Sequence, residues 1–181
     1  MSFTFVRRIA LAALALPLLL GGCADDEPEP KVPATSSPTS PVAETNTTPE
    51  AWHEQTEDGA VAYAEHWIEL LNGARLASET EPLAEASTPE CGTCSNYVRL
   101  INKWRSNGTT YESKPWTIEQ VGVIASEHES VQLALRIFRP MEVITQSDGR
   151  EERNKGTRAT YSATFRWFQG GWRMHELVIP E

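Results

Sequence analysis

No tryptophan or tyrosine occurs before Trp52; all six Trp and all four Tyr of the chain lie beyond residue 51. Aromatic side chains carry the largest apolar areas a core can bury. Whatever folds here must therefore fold from residues 51–181, a length sufficient for one domain with its own core. No internal repeat divides that segment further.

The preceding residues have other uses. Residues 23–50 are rich in Pro, Ser, Thr and acidic residues and cannot offset the entropy of ordering, so a disordered, partly extended tether is expected. Its Ser/Thr-Pro character also suits glycosylation, although a plain spacer is the simpler reading. Residues 1–22 join Arg7-Arg8 to the apolar run IALAALALPLLL, which is too short for the ~20 residues of a spanning helix. This is the pattern of a secretory signal. The stretch Leu20-Gly21-Gly22-Cys23 resembles a bacterial lipobox, in which cleavage precedes a diacylated cysteine. That resemblance implies a diacylglyceryl anchor on Cys23 and a place on the extracytoplasmic face of the cell membrane. An ordinary cleaved signal would instead leave an unpaired thiol at the new N-terminus.

The chain carries a formal charge of −9, and loss of the signal with its two arginines leaves −11. Such a balance argues against a nucleic-acid partner and against a surface that lies flat on anionic lipid.

Within residues 51–181, helical patterns come first. Thr56 stands as an N-cap before Glu57 and Asp58, and Tyr63, Trp67, Leu70, Leu71 and Ala74 recur at helical spacing. ETEPLAEAS reads as a short helix or turn. Thr88-Pro89 then predicts the start of a third helix, with Thr88 as cap, ending near Asn107-Gly108. Alternating segments follow: WTIEQVGVIAS, ESVQLALRIF with Val131, Leu133, Leu135 and Ile137 on one face, and TRATYSATFRWF with Tyr161, Ala163, Phe165 and Trp167 on one face. Pro140 is expected to end or bulge the second of these, which would continue through MEVIT to a turn at Ser147-Asp148-Gly149. REERNKGTR, mixed in sign, is expected to form a solvated hairpin tip. Gln169-Gly170-Gly171 marks a tight hairpin into the last strand, WRMHELVI. Helices followed by antiparallel strands predict an α+β domain, its helices packed on one face of a sheet.

A long amphipathic helix, two shorter helices and a meander ending in GGWRMHELVI resemble the cone of nuclear transport factor 2-like proteins, also called cystatin-like or SnoaL-like. More narrowly, EDGAVAYAEHWIELLNGARLASETEPLAEASTPECGTC resembles the opening of a family of actinobacterial lipoproteins of unassigned function. The resemblance implies a curved sheet under helices and a place at the cell surface, and it implies no activity.

Cys91 and Cys94 sit in ECGTC at a helix start, where a lowered thiolate pKa would suit redox work. Against that, Cys91 follows no buried parallel strand, no βαβ pattern exists, and Glu90 raises rather than lowers a neighbouring thiol's pKa. Zinc would need two further ligands, and no second CxxC or close His pair supplies them. A structural disulfide is the favoured reading, with a redox-active pair and a metal site as alternatives. Tyr63, His66, Trp67, Trp167, Trp172, Arg173 and His175 are candidates for the wall of a central cavity, with Arg136 and Glu176 as further polar groups. For the aromatics a core role fits the same spacing. Arg173 and His175 alternate with Met174 and Glu176, so at most one pair can face a cavity. No phosphate loop, GxSxG or HExxH is present, and no catalytic residue, metal or cofactor is assigned. The expected role is a non-enzymatic module that binds a small apolar ligand or an envelope protein. Thiol-disulfide exchange through Cys91 and Cys94 is the alternative, and a hydrolase or isomerase acting in the cone cavity is a third.

Overall fold

Thr56 starts the first long helix as its spacing predicts: its hydroxyl accepts the amide of Gly59 at 3.0 Å. The computed structural model describes residues 50–179. The signal segment, Cys23 and all but the last residue of the tether lie outside the described residues. After a short 3-10 turn at Ala51–His53 come α1 (Glu57–Ala77), α2 (Glu81–Glu85) and α3 (Gly92–Ser106). No helix among the described residues is long and apolar enough to cross a membrane.

Seven strands follow: β1 (Thr110–Ser113), β2 (Thr117–Glu127), β3 (Ser130–Arg139), β4 (Glu142–Thr145), β5 (Glu151–Asn154), β6 (Thr157–Phe168) and β7 (Gly171–Val178). They form two antiparallel sheets, one of order β2-β3-β6-β7 and one of order β1-β4-β5. β3 and β6 pair without interruption from Ser130↔Arg166 to Arg139↔Thr157. Register shifts in β2, and between β6 and β7 at Thr164/Phe165, are bulges of the kind that bend strands. The hairpin between β6 and β7 has Gln169 and Gly170 both at positive φ, 51° and 81°. Two such residues match the right-handed twist of the flanking strands.

The core lies between the helices and one face of the four-stranded sheet. Val131, Leu133, Leu135 and Ile137 of β3 and Tyr161, Ala163 and Phe165 of β6 are buried there, as the alternation predicts. Trp67, Leu71 and Ala74 of α1 cover them, and the Tyr63 ring meets Phe165 edge-on at 5.9 Å. Each such large apolar side chain contributes about 1.5–3 kcal/mol through burial. The expected α+β class, helices on an antiparallel sheet, is the architecture observed.

Three local expectations are corrected. The chain beyond Pro140 does not continue β3: β4 leaves that sheet and pairs with β1 and β5. Proline has no N–H to extend the ladder, and the close approach of Gly156 to the Arg139 carbonyl lets the return strand pass the corner. REERNKGTR is more than a hairpin tip, since Glu151–Asn154 form β5 at the edge of the small sheet. Thr88 is not the cap of α3. Its N–H donates to Met174 O at 2.8 Å, and Met174 N–H donates to Ala86 O at 3.0 Å, so residues 86–88 lie along the free edge of β7. That contact covers an otherwise open sheet edge.

Cys91 caps α3 instead. The Cys94 amide donates to Cys91 Sγ at 3.3 Å, and the two cysteines form a disulfide with Cα atoms 5.3 Å apart. Both residues are only 1% exposed. A bridge closing so short a loop contributes about 2 kcal/mol in the chain-entropy model. Replacing both cysteines by alanine is expected to lower the melting temperature by about 8 °C with the far-ultraviolet circular dichroism unchanged. Loss of the folded spectrum would contradict a clamp of that modest size.

Candidate functional site

A charge on the apolar stripe of α1 defines the site. Arg75 stands four residues after Leu71 and seven after Ile68, on the face that packs inward, and its side chain is 6% exposed. A buried guanidinium requires a partner. Arg75 Nη2 donates to Glu142 Oε1 at 2.6 Å. Glu142 reaches this place because β4 has left the large sheet, and it shares a face of the small sheet with Ile144, Tyr111 and Asn154. Its side chain is 4% exposed.

The same Oε1 accepts two more hydrogen bonds, from Trp116 Nε1 at 3.0 Å and Tyr111 Oη at 3.0 Å. Burial pushes the Glu142 carboxyl up, but the Arg75 charge and the hydrogen bonds from Arg75, Trp116 and Tyr111 together hold it below the usual carboxylate range. Glu142 is therefore ionised at neutral pH. Burial raises the phenols of Tyr111 and Tyr97, which stay neutral.

Aromatic rings surround the cations. Arg75 Cζ lies 4.3 Å from the Tyr111 ring centroid and 4.2 Å from that of Trp116, and Arg139 Cζ lies 4.5 Å from Trp116. These distances fall within cation–π range. Tyr111 stacks on Trp104 at 5.5 Å, and Tyr97 meets Trp116 edge-on. Asn72 fixes Trp116 by accepting its backbone N–H at 2.9 Å and donating to its carbonyl at 3.0 Å.

A cavity of about 190 Å³ opens beside this cluster, walled by Arg75, Arg139, Glu142, Trp116, Tyr97 and Trp104 among others. Two buried donors of its wall, Arg75 Nη1 and Arg139 Nε, have no hydrogen-bond partner. Arg139 otherwise reaches Tyr161 Oη at 3.4 Å and lies 3.8 Å from Glu142 Oε2. Buried polar groups are almost always paired, so these two donors are exceptions within the cluster.

The residues proposed from sequence do not converge on this cavity. Tyr63, His66, Trp172 and Arg173 come together around a different, shallow groove of about 280 Å³. There the polar groups are already engaged: Tyr63 Oη donates to Ala86 O, Arg173 Nη1 to Trp172 O and Trp172 Nε1 to Glu54 O. His66 stacks on Trp52 at 4.4 Å. Trp67 is fully buried in the core, where its indole N–H donates to Ser87 Oγ. Trp167 packs edge-on against Trp172, and His175 Nδ1 lies 3.0 Å from Thr88 Oγ1 at the β7 edge, so neither lines that groove. Arg136 lies on the outer face of the sheet, 3.7 Å from Glu119, and Glu176 is exposed. Spacing alone could have flagged Arg75, a charge on an apolar stripe.

Residues 32–178 match a family described as a family of unknown function (DUF6318). No curated protein matches the chain. Among solved structures, the intermembrane space region of chloroplast protein ARC6 is 13% identical over 66% of this chain and 92% of that chain, with a TM-score of 0.49. Aln2 from a Streptomyces species is 9% identical over 71% and 94%, with a TM-score of 0.47. An uncharacterised protein with a cystatin-like fold from Caulobacter vibrioides is 11% identical over 68% and 91%, with a TM-score of 0.43.

Breaking one side of the buried pair leaves the other charge desolvated. Glu142→Gln is expected to destabilise the protein by about 3–5 kcal/mol at pH 7, whereas Arg75→Met/Glu142→Gln recovers most of that loss. Because the folded carboxyl has the lower pKa, its contribution is complete above the unfolded value of about 4.3 and fades as pH falls through the folded value. Urea unfolding of wild type and Glu142→Gln between pH 3 and 7 should show a constant gap above about pH 5 that narrows in acid. A gap independent of pH would contradict the pairing.

Proposed function

We propose that this chain, which belongs to this family of unknown function, is a non-enzymatic binding module of the cell envelope, held at the membrane through Cys23 and binding a small ligand beside Arg75. One observation carries the binding role: the Arg75 and Arg139 guanidinium groups, with Glu142 as the one carboxylate beside them, line a cavity of about 190 Å³. A guanidinium offers donors only, so an acceptor-bearing ligand is what such a cavity suits. Nothing in the cluster is poised for proton transfer, since Glu142 is ionised and triply hydrogen-bonded and its tyrosine neighbours are held neutral. The site is built to hold a ligand.

Placement at the membrane rests on the lipobox-like Leu20–Cys23 segment, and residues 23–50 supply the spacer. A doubly acylated cysteine anchors stably, since each buried methylene contributes about 0.8 kcal/mol. The burial of both Cys91 and Cys94 supports a clamp rather than an exchanging pair, because exchange requires access to a sulfur.

The anchor is tested by fractionating bacterial cells that express the full chain. Wild type is expected in the membrane fraction and Cys23→Ala outside it, and equal partition of the two would remove the anchor. Binding is tested on the full chain in detergent with propionate, propylamine, propionamide and propanol at constant ionic strength. At least one probe should raise the melting temperature saturably in wild type and not in Leu100→Trp, which narrows the cavity mouth. No shift by any probe, or the same shift in Leu100→Trp, would overturn the reading.

A further inference from the structure

The charge, donors and walls of the cavity restrict what fits it. The charged groups on its wall are Arg75, Arg139 and Glu142, with the Tyr97 phenol neutral, which leaves one positive charge in surplus. Glu142 cannot meet that surplus, because its Oε1 already accepts from Arg75, Trp116 and Tyr111 and its Oε2 stands 3.8 Å from Arg139. Lys103 and Glu152, which line the adjoining outer groove, offset each other. A guanidinium offers donors and no acceptor, so the occupant must accept. Water can accept, but it cannot neutralise.

The other walls select the rest of the molecule. Leu100, Ile101, Trp104 and Ile144 offer no charge, and an anion with oxygens on every side, such as phosphate or sulfate, would press some of them against apolar surface. A carboxylate confines its oxygens to one end. A single surplus charge calls for one carboxylate and not two. The volume, about 190 Å³, lies below the ~300–1,000 Å³ of pockets for drug-sized ligands and amounts to about half a dozen water-sized volumes.

We infer that this cavity takes a small monocarboxylate, its oxygens toward the Arg75 and Arg139 guanidinium groups and its short apolar body against Leu100, Ile101 and Trp104. The inference rests on the cavity being a binding site, as proposed above. Guanidinium donors suit a carboxylate because the resulting hydrogen bonds are charge-assisted.

The test is a calorimetric titration of the full chain in detergent, at constant ionic strength, with propionate, propionamide and inorganic phosphate. Propionate should bind saturably at one site, while propionamide and phosphate bind at least about tenfold more weakly. Arg139→Gln, which removes the surplus charge, should weaken propionate at least about tenfold. Arg75→Met/Glu142→Gln keeps an acceptor for Trp116 and Tyr111 and leaves the Arg139 charge in place, and it should weaken propionate less than Arg139→Gln does, with its circular dichroism preserved. Propionamide binding as tightly as propionate would overturn the carboxylate assignment and leave the cavity a binding site for neutral molecules. Preference for phosphate would also overturn it, as would propionate affinity unchanged in Arg139→Gln. Absence of any binding would remove both the ligand class and the binding site.

Discussion

The ion pair between Arg75 and Glu142 joins the two parts of the fold. Arg75 belongs to α1, which covers the four-stranded sheet, and Glu142 belongs to β4 of the three-stranded sheet. Their contact at 2.6 Å, both side chains nearly inaccessible, fixes where the small sheet stands against the first helix. A buried pair of this kind is not by itself a source of net stability, because desolvation offsets much of the attraction. It does impose a strict condition: neither charge can be left without the other. The planar guanidinium also lies within cation–π distance of Tyr111 and Trp116 while it holds Glu142, which an ammonium could not do with the same geometry.

Helix α3 completes the site and is held at both ends. The disulfide and the Cys91 sulfur cap close its first turn, and Gly108 at φ 66° lets the chain leave after its last. Between them Tyr97, Ile101 and Trp104 present one wall of the cavity. CxxC at a helix start thus carries a positional role. It sets the first turn of the helix that faces Arg75 across the cavity.

Most of the fold was legible because the large sheet is buried on one face only. Val131, Leu133, Leu135 and Ile137 alternate cleanly with outward residues, and Thr56 and Gln169-Gly170 announce their cap and turn chemistry locally. The small sheet was not legible as a separate sheet. Its strands are four residues long, and Glu151–Asn154 carries no apolar residue, so no periodicity distinguishes it from a loop. The candidate cavity residues failed for a related reason. Trp67 and Trp172 repeat at core spacing because they are core, and the β6–β7 bulge sits beside His175, which bonds at the strand edge. Arg75 went unmarked on its apolar stripe, its partner lies 67 residues away, and no local pattern names Glu142.

A crystal structure of the full chain grown in propionate tests the central claim most directly. The account predicts a carboxylate in the cavity with its oxygens toward the Arg75 and Arg139 guanidinium groups, Glu142 still on Arg75 Nη2 and the apolar body of the ligand against Trp104. Arg75 turned to give both terminal nitrogens to Glu142, beside a cavity holding only water, would contradict it.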